Sequence, residues 1–428
     1  MSTKELINNI DSFVSTDVWS PLDPYKDEKI IFQKGDGAYI WDINGKRYVD
    51  FINGKGSILL GHNDSDINQL LIESISNKSS TVTGPHQYIV ALSEIILRDL
   101  KRDHYKIAYF STGTEAVKAS VNMVRMASKK SIILSSGYHG WDPLWYHDNG
   151  PHELNKNDIL DVFFVPDLLK RAITNNKGNI AAFVISPDYV YLSEKTYNEL
   201  FSICREHEIY IICDDVKQGY RYRSGNSLEM VGERADLYVF AKGLSNGNRL
   251  SCVVGPEQVM EFSRDFTYTS YYELLPYISA LGTLKKMRNQ NGYMQIRNIG
   301  ATFLNNLREI LKNSPIDMNV NGNGNLFQFV FPNDEIEEKF YRLCLLNGLL
   351  FFNGDNQCPN LAITNEVYDF VLKVITQVIE QLSSNYNTGS FSINDERRFI
   401  SAWRQMDGAS DFIDTSDRLI IINKLFSE

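Results

Sequence analysis

Between about residues 86 and 290, short apolar runs alternate with stretches of helical character, and few architectures accommodate such a rhythm. The runs are "KIAYF" (106–110), "SIILS" (131–135), "DVFFV" (161–165), "IAAFVI" (180–185), "IYIIC" (209–213), "LYVFA" (237–241) and "LSCVVG" (250–255). Several are apolar at every position, as strands covered by helices on both faces must be. Strand–helix alternation of this kind predicts an α/β fold with an open, mostly parallel sheet. Beyond about 295 the pattern changes. "FQFVF" (327–331) and "LLFF" (349–352) read as strands among helices, and "EVYDFVLKVITQVIEQL" carries a helical stripe of Val367, Phe370, Val371, Val374, Ile375, Val378 and Leu382. This predicts a second, smaller α+β region. Near the start, "GAYIWDINGKRYVDF" reads as a hairpin with a tight type I′ turn at Asn44-Gly45, and "INGKGSILLGH" as a glycine-spaced loop leading to a helix near Asp66 to Asn77.

A chain of 428 residues is long for one core and suits a large domain with a smaller one. The expected boundaries are 1–60 for an N-terminal segment of the small domain, 61–294 for the large domain, 295–382 for the rest of the small domain, and 383–428 for an added polar tail. A net charge of −10 argues against non-specific binding to nucleic acid or anionic membranes. The five cysteines are scattered, odd in number and form no CxxC pair, so free thiols in a reducing compartment and no metal site are expected. No apolar run approaches membrane-spanning length, and a cytoplasmic protein is expected.

In an open α/β sheet, ligands gather at the carboxyl ends of strands. Four such ends carry chemistry. "STGT" (111–114) opens a helix whose stripe includes Val117, Val121 and Val124. Ser111, Thr112, Gly113 and Thr114 there could cradle a phosphate, because free N–H groups, the helix dipole and hydroxyls face one spot. Thr112 or Thr114 could equally be an ordinary N-cap. In "SSGYHGWD" (135–142), Tyr138 and His139 lie between two glycines and could stack on a planar ring, or simply cover a core edge. "IYIICDDVKQGYR" ends a buried strand on Asp214 and Asp215, and a carboxylate there needs a cation or donors. "DLYVFAKGLSNG" ends an apolar strand on Lys242, which could merely mark the strand end and face water. In this order, a phosphate cradle, a stacking aromatic, a carboxylate for a ring nitrogen and an edge lysine suit pyridoxal 5′-phosphate (PLP). Lys242 would then hold the aldehyde as a Schiff base, and the carboxylate would keep the ring nitrogen protonated so that the ring accepts electrons.

With these residues together, the chain resembles a class III, fold type I PLP-dependent aminotransferase, nearest the glutamate-1-semialdehyde aminomutase-like branch. The resemblance rests on "GAYIWDINGKRYVDF", "LLGHN", "STGTEAVKAS", "GYHGW", "CDDVKQGYR" and "AKGLSNG", in order over roughly 29–290, with a weaker continuation in "PNLAITNEVYDFVLKVI". It implies a large domain with a mostly parallel seven-stranded sheet and a smaller domain built from both chain ends. It implies that Thr112, Gly113 and Thr114 hold the phosphate, that Tyr138 stacks on the ring with His139 beside it, and that Asp214 meets the ring nitrogen with Asp215 next to it. Val216 then touches the other ring face, and Lys242 is the Schiff-base lysine. It also implies a homodimer with shared active sites, in which Thr269 of "FTYTSYYELL" reaches the neighbouring subunit's phosphate. The partners expected are a small-molecule amino donor and a carbonyl acceptor.

The sequence departs from that pattern where substrate would bind. Asp23 in "SPLDPY" stands in place of an arginine, Lys55 in place of a tryptophan, and Ser186 in place of a glutamate. Lys217 stands where glutamine or methionine is usual. The aminotransferase reading therefore points to a substrate other than glutamate-1-semialdehyde, such as an amino sugar or a specialised metabolite. An aminomutase or epimerase would use the same residues, and a non-catalytic relative would have no reason to keep both Asp214 and Lys242.

Overall fold

The computed structural model describes residues 2–15, 18–19, 29–140, 142, 144–145, 158–266, 272–385 and 393. They fall into two compact units, one drawn from Asp66–Tyr293 and the other from Met1–Ser65 together with Met294–Ser401.

The unit of Asp66–Tyr293 is built on a seven-stranded sheet. Its strands are β1 (Tyr105–Phe110), β2 (Ile132–Ser136), β3 (Ile159–Asp161), β4 (Ile180–Ile185), β5 (Tyr210–Asp214), β6 (Leu237–Phe240) and β7 (Ser251–Pro256). Their spatial order is β1-β7-β6-β5-β4-β2-β3. Neighbours from β6 to β3 pair in parallel, whereas β7 is antiparallel to both β1 and β6. The carboxyl ends of β1, β2, β5 and β6 therefore share one edge of the sheet. Helices α1 (Gln87–Leu100), α2 (Gly113–Ser128), α3 (Pro166–Asn175), α4 (Glu194–Glu206) and α5 (Leu275–Asn289) belong to the same unit. Every residue of β4 is buried, in keeping with its unbroken apolar run. Val117, Val121 and Val124 of α2 pack into a core with Ile212 of β5, Val239 of β6 and Val253 of β7.

The strand expected over 161–165 is corrected. β3 ends at Asp161, and Phe163 (φ 48°) and Phe164 (φ 59°) adopt left-handed conformations that turn the chain into Pro166 at the head of α3. Val162, Phe164 and Val165 are nonetheless fully buried. A buried turn and a buried strand leave the same apolar run in the sequence, and only the proline marks the difference.

The second unit carries a four-stranded sheet of Phe32–Asp36, Tyr39–Asp42, Arg47–Asp50 and Leu349–Leu350. The first three strands are antiparallel, and Leu349–Leu350 runs parallel to Arg47–Asp50, a much shorter strand than the "LLFF" run suggests. A hairpin pairs Asn319–Asn323 with Leu326–Val330. Helices Asp334–Leu346 and Asn365–Asn385 contribute Phe340, Tyr341, Tyr368, Val371 and Ile375 to a core centred on Phe51, Phe327 and Phe351. The type I′ turn at Asn44-Gly45 is also corrected. Gly45 alone has positive φ, and Asp42 Oδ1 accepts from the N–H groups of Asn44 and Lys46 at 2.9 Å each, closing a wider turn through its side chain. "INGKG" forms a left-handed turn, with Asn53, Gly54, Lys55 and Gly56 at φ 48°, 60°, 55° and 85°. Asp50 Oδ1 accepts from the N–H groups of Ile52 and Asn53, and Asn53 Nδ2 donates to the Cys358 carbonyl at 2.7 Å. Lys55 is exposed on this turn.

Candidate active site

β5 brings the first functional group to the sheet edge. Asp214, its last residue, is buried, with Oδ2 at 2.9 Å from His139 Nδ1 and Oδ1 accepting from the Val216 N–H at 3.3 Å. The side chains of His139 and Asp214 are only 1% and 4% exposed. The loop after β2 delivers this histidine. Gly137 and Gly140 both sit at φ 95°, and a Cβ on Gly137 would lie 2.9 Å from Ser186 Cβ. Trp145 packs against the imidazole, ring centroids 4.7 Å apart. His139 Nε2 is buried without a hydrogen-bond partner among the described residues. Tyr138 is 37% exposed, as a residue meant to meet a ligand can be.

The next residue points elsewhere. Asp215 is fully buried and takes hydrogen bonds from the Ser227 N–H and Oγ, both at 2.6 Å. Tyr189 OH donates in turn to Ser227 Oγ at 2.9 Å. Burial pushes the Asp215 carboxyl up to about 7, the Ser227 donors oppose that rise, and the neighbouring Asp214 adds to it. The consecutive carboxylates thus have different partners, as alternation at a strand end requires.

At the end of β1, Thr112 is the N-cap of α2, which settles the choice between Thr112 and Thr114. Its Oγ1 accepts from Glu115 N at 3.3 Å, and the Glu115 carboxylate accepts from Thr112 N at 2.8 Å, a full capping box. With Thr112 committed to Glu115, the N–H groups of Gly113 and Thr114 are the first-turn donors that lack an intrahelical acceptor. Gly113 is required by packing. A Cβ there would fall 2.8 and 2.9 Å from the two methyls of Val216, the residue just past the β5 carboxylates. Thr114 is equally close to Gly140, where a Cβ would meet Thr114 Oγ1 at 2.3 Å. Ser251, at the start of β7, donates its hydroxyl to the Thr112 carbonyl at 2.7 Å. The segments 111–114, 137–140 and 214–216 are thereby joined by direct contact.

Lys242 follows β6 by two residues and begins a short 3-10 turn, Lys242–Ser245. It is half-buried and has φ 45°. A non-glycine residue held there costs about 1–2 kcal/mol. β6 lies beside β5 in parallel register, Cys213 opposite Tyr238 and Asp214 opposite Val239, so the lysine and the carboxylate leave adjacent strands at the same edge.

Thr269 and Asp23 lie outside the described residues, and Lys55 belongs to the other unit. Ser227, Glu115 and Ser251 support the site without having been singled out in the sequence. Of these, only Glu115 left a signal, since Thr-Gly-Thr-Glu before an apolar stripe has the capping-box spacing.

These residues fit PLP. Asp214 is a buried carboxylate at a ligand-binding edge. Gly113 allows an approach that a side chain would close, and Gly113 and Thr114 present helix N-terminal donors to an anion. The family model for class-III aminotransferases matches residues 23–144 and 150–379. The 2'-deamino-2'-hydroxyneamine transaminase of Streptomyces kanamyceticus is 26% identical over 345 residues, covering 78% of this chain and 88% of that protein. A glutamate-1-semialdehyde 2,1-aminomutase of Nitrosopumilus maritimus is 25% identical over 429 residues, covering 88% and 100% respectively. Among solved structures, the FumI protein of Sphingopyxis sp. MTA144 in its PLP form superposes with a TM-score of 0.80 at 20% identity, over 89% of this chain and 96% of that one. The acetylornithine aminotransferase of Elizabethkingia anophelis gives 0.75 at 20% identity, over 89% and 100%. At that identity the superpositions speak for the fold.

Proposed function

The chain belongs to the class-III aminotransferases, and from that premise we propose that it uses PLP to move an amino group from a small-molecule donor to a carbonyl acceptor, with Lys242 as the reactive amine. The observation that carries the residue assignment is the pairing of a buried carboxylate, Asp214, with a lysine on the adjacent parallel strand end. When bound, PLP supplies an aldehyde and an electron-accepting ring that no side chain offers.

The protein's own groups then have separable tasks. Gly113 and Thr114 bind the phosphate through their N–H groups, with Ser111 and the Thr114 hydroxyl beside them. Tyr138 and Val216 hold the ring faces, with Val216 fixed against Gly113. Asp214 meets the ring nitrogen as an anion. His139 Nδ1, 2.9 Å from Asp214 Oδ2, holds the carboxylate in place. Lys242 Nζ takes the proton from the substrate carbon that bears the amine and returns it once the electrons have moved.

The acceptor is proposed to be a polyhydroxylated or otherwise specialised carbonyl compound. Ser186 and Lys217 replace residues usual in the aminomutase-like branch, and a relative is named for 2'-deamino-2'-hydroxyneamine. The aminomutase relatives keep an intramolecular transfer as the second reading. A homodimer with shared sites in the cytoplasm completes the proposal. Among the described residues no helix is long and apolar enough to cross a membrane. The test is to add amines and amino acids one at a time to the yellow protein and follow loss of its visible band, then to add carbonyl compounds and follow its return. Transamination requires two separable half-reactions, each with its own product. Product formed from one substrate alone, with no second carbonyl, would make it a mutase or epimerase. Light scattering that finds a fully active monomer would remove the shared site.

A further inference from the structure

The turn that carries Lys242 is strained at both ends, with Lys242 at φ 45° and Asn246 at φ 44°. Strain of this kind persists only where surrounding contacts over-determine it. Those contacts converge on one carbonyl. Ser245 O accepts from Asn248 N at 3.1 Å, from Ser279 Oγ at 2.8 Å and, more weakly, from Asn248 Nδ2 at 3.4 Å. Asn248 Nδ2 also donates to Ser279 Oγ at 2.9 Å, and Ser245 Oγ donates back to the Asn248 carbonyl. Ser245, Ser279 and Thr283 are completely buried. Ser279 and Thr283 lie on α5, far along the chain, on a face that would pack more simply if apolar. Thr283 Oγ1 bonds within its own helix, to the Ser279 carbonyl at 2.7 Å. The Ser279 hydroxyl instead leaves α5 for the lysine-bearing turn.

We infer that Ser279, with Asn248, is a positioning residue for the reaction: it locks the left-handed turn and so fixes the direction in which the Lys242 side chain leaves β6. The inference rests on Lys242 being the reactive amine. Ser279→Ala leaves Asn248 Nδ2 and Ser245 O each short of a partner, so the turn relaxes toward ordinary φ values and Nζ swings off line. A misplacement of about 1 Å in a reacting group costs roughly a hundredfold in rate.

The experiment is a double-mutant comparison with the PLP-loaded protein. The half-reaction is timed with L-alanine, L-glutamate or putrescine, whichever converts the parent fastest. Ser279→Ala slows the parent by about 10–100-fold. In a Lys242→Ala background, where added methylamine carries the proton instead, the same substitution changes the rate less than about twofold, since there is no lysine left to aim. The pH midpoint of the visible band of the lysine-linked cofactor also moves in Ser279→Ala, because Nζ sits in a different field. Equal losses in both backgrounds, or an unmoved midpoint with an unchanged rate, would overturn the inference and leave the role of Lys242 standing. Full activity of Lys242→Ala without added amine would instead overturn the assignment of the lysine. If Ser279→Ala does not fold, Asn248→Ala is carried through the same comparison with the same expected outcomes.

Discussion

The two strand ends that face each other at this edge are built on opposite plans. β5 ends on a carboxylate whose supports are close by: Val216 two residues on and His139 from one neighbouring loop. β6 leads, two residues on, to a lysine in a left-handed backbone conformation, whose turn is held by a serine on the helix Leu275–Asn289. The carboxylate has a charge to orient and needs only a fixed place. On the proposed function the lysine holds, releases and carries a proton, so its side chain has to move while its root does not. Fixing the root through backbone geometry is one way to meet both needs.

The contrast can be broken by substitution, and the lysine end should be the more sensitive. Lys242→Ala is expected to lower the half-reaction rate by about ten-thousandfold, the upper range for a lost acid–base group. Borohydride should no longer fix PLP to the chain, and a labelled peptide lacking residue 242 would refute the assignment. Asp214→Ala should still bind PLP but cost about 4 kcal/mol, roughly a thousandfold in rate. A change below tenfold would show that Asp214 does not face the ring nitrogen. Gly113→Ala tests the cradle between the two ends. The new methyl must displace Val216, so PLP affinity, followed by absorbance titration of the apoprotein, should fall about tenfold, from the loss of near 1.4 kcal/mol.

The smallest effect belongs to Asp215, which has no direct part in the chemistry. Its carboxyl titrates near 7 when folded, against an ordinary 3.8. Between those values the folded state binds the extra proton, so this group's contribution to stability falls as pH rises from about 4 to 7 and is level above that. Asp215→Asn removes the decline. Its Tm relative to the parent should climb across that window, by a few degrees for each kcal/mol recovered. A Tm difference independent of pH would mean that Asp215 does not titrate there.

Sequence and structure agree best where local chemistry dictates the outcome. The apolar runs of β4 and β5 need helices on both faces and became central strands. The carboxylate at Asp214 and the lysine at Lys242 were legible because a charge at the end of such a strand demands an explanation. The turn at Phe163 and Phe164 was not legible, because burial without periodicity fits a strand equally well. Nor was the wide turn at Asn44, where the Asp42 side chain took the place of a second left-handed residue. Ser227, Ser251 and Ser279 were invisible for a common reason. A serine reads as a polar surface residue until the fold shows which carbonyl or carboxylate it reaches.

The reversed strand β7 has a consequence of its own. It separates β1, which leads into the turn at 111–114, from β6, which leads into Lys242, and neighbouring strands lie about 4.8 Å apart, so the two ends stand roughly 10 Å from each other. On the proposed reading that interval acts as a gauge, the distance a cofactor bridges between its anionic arm and the lysine. Because the gauge is set by a strand and not by side chains, point substitutions cannot reset it.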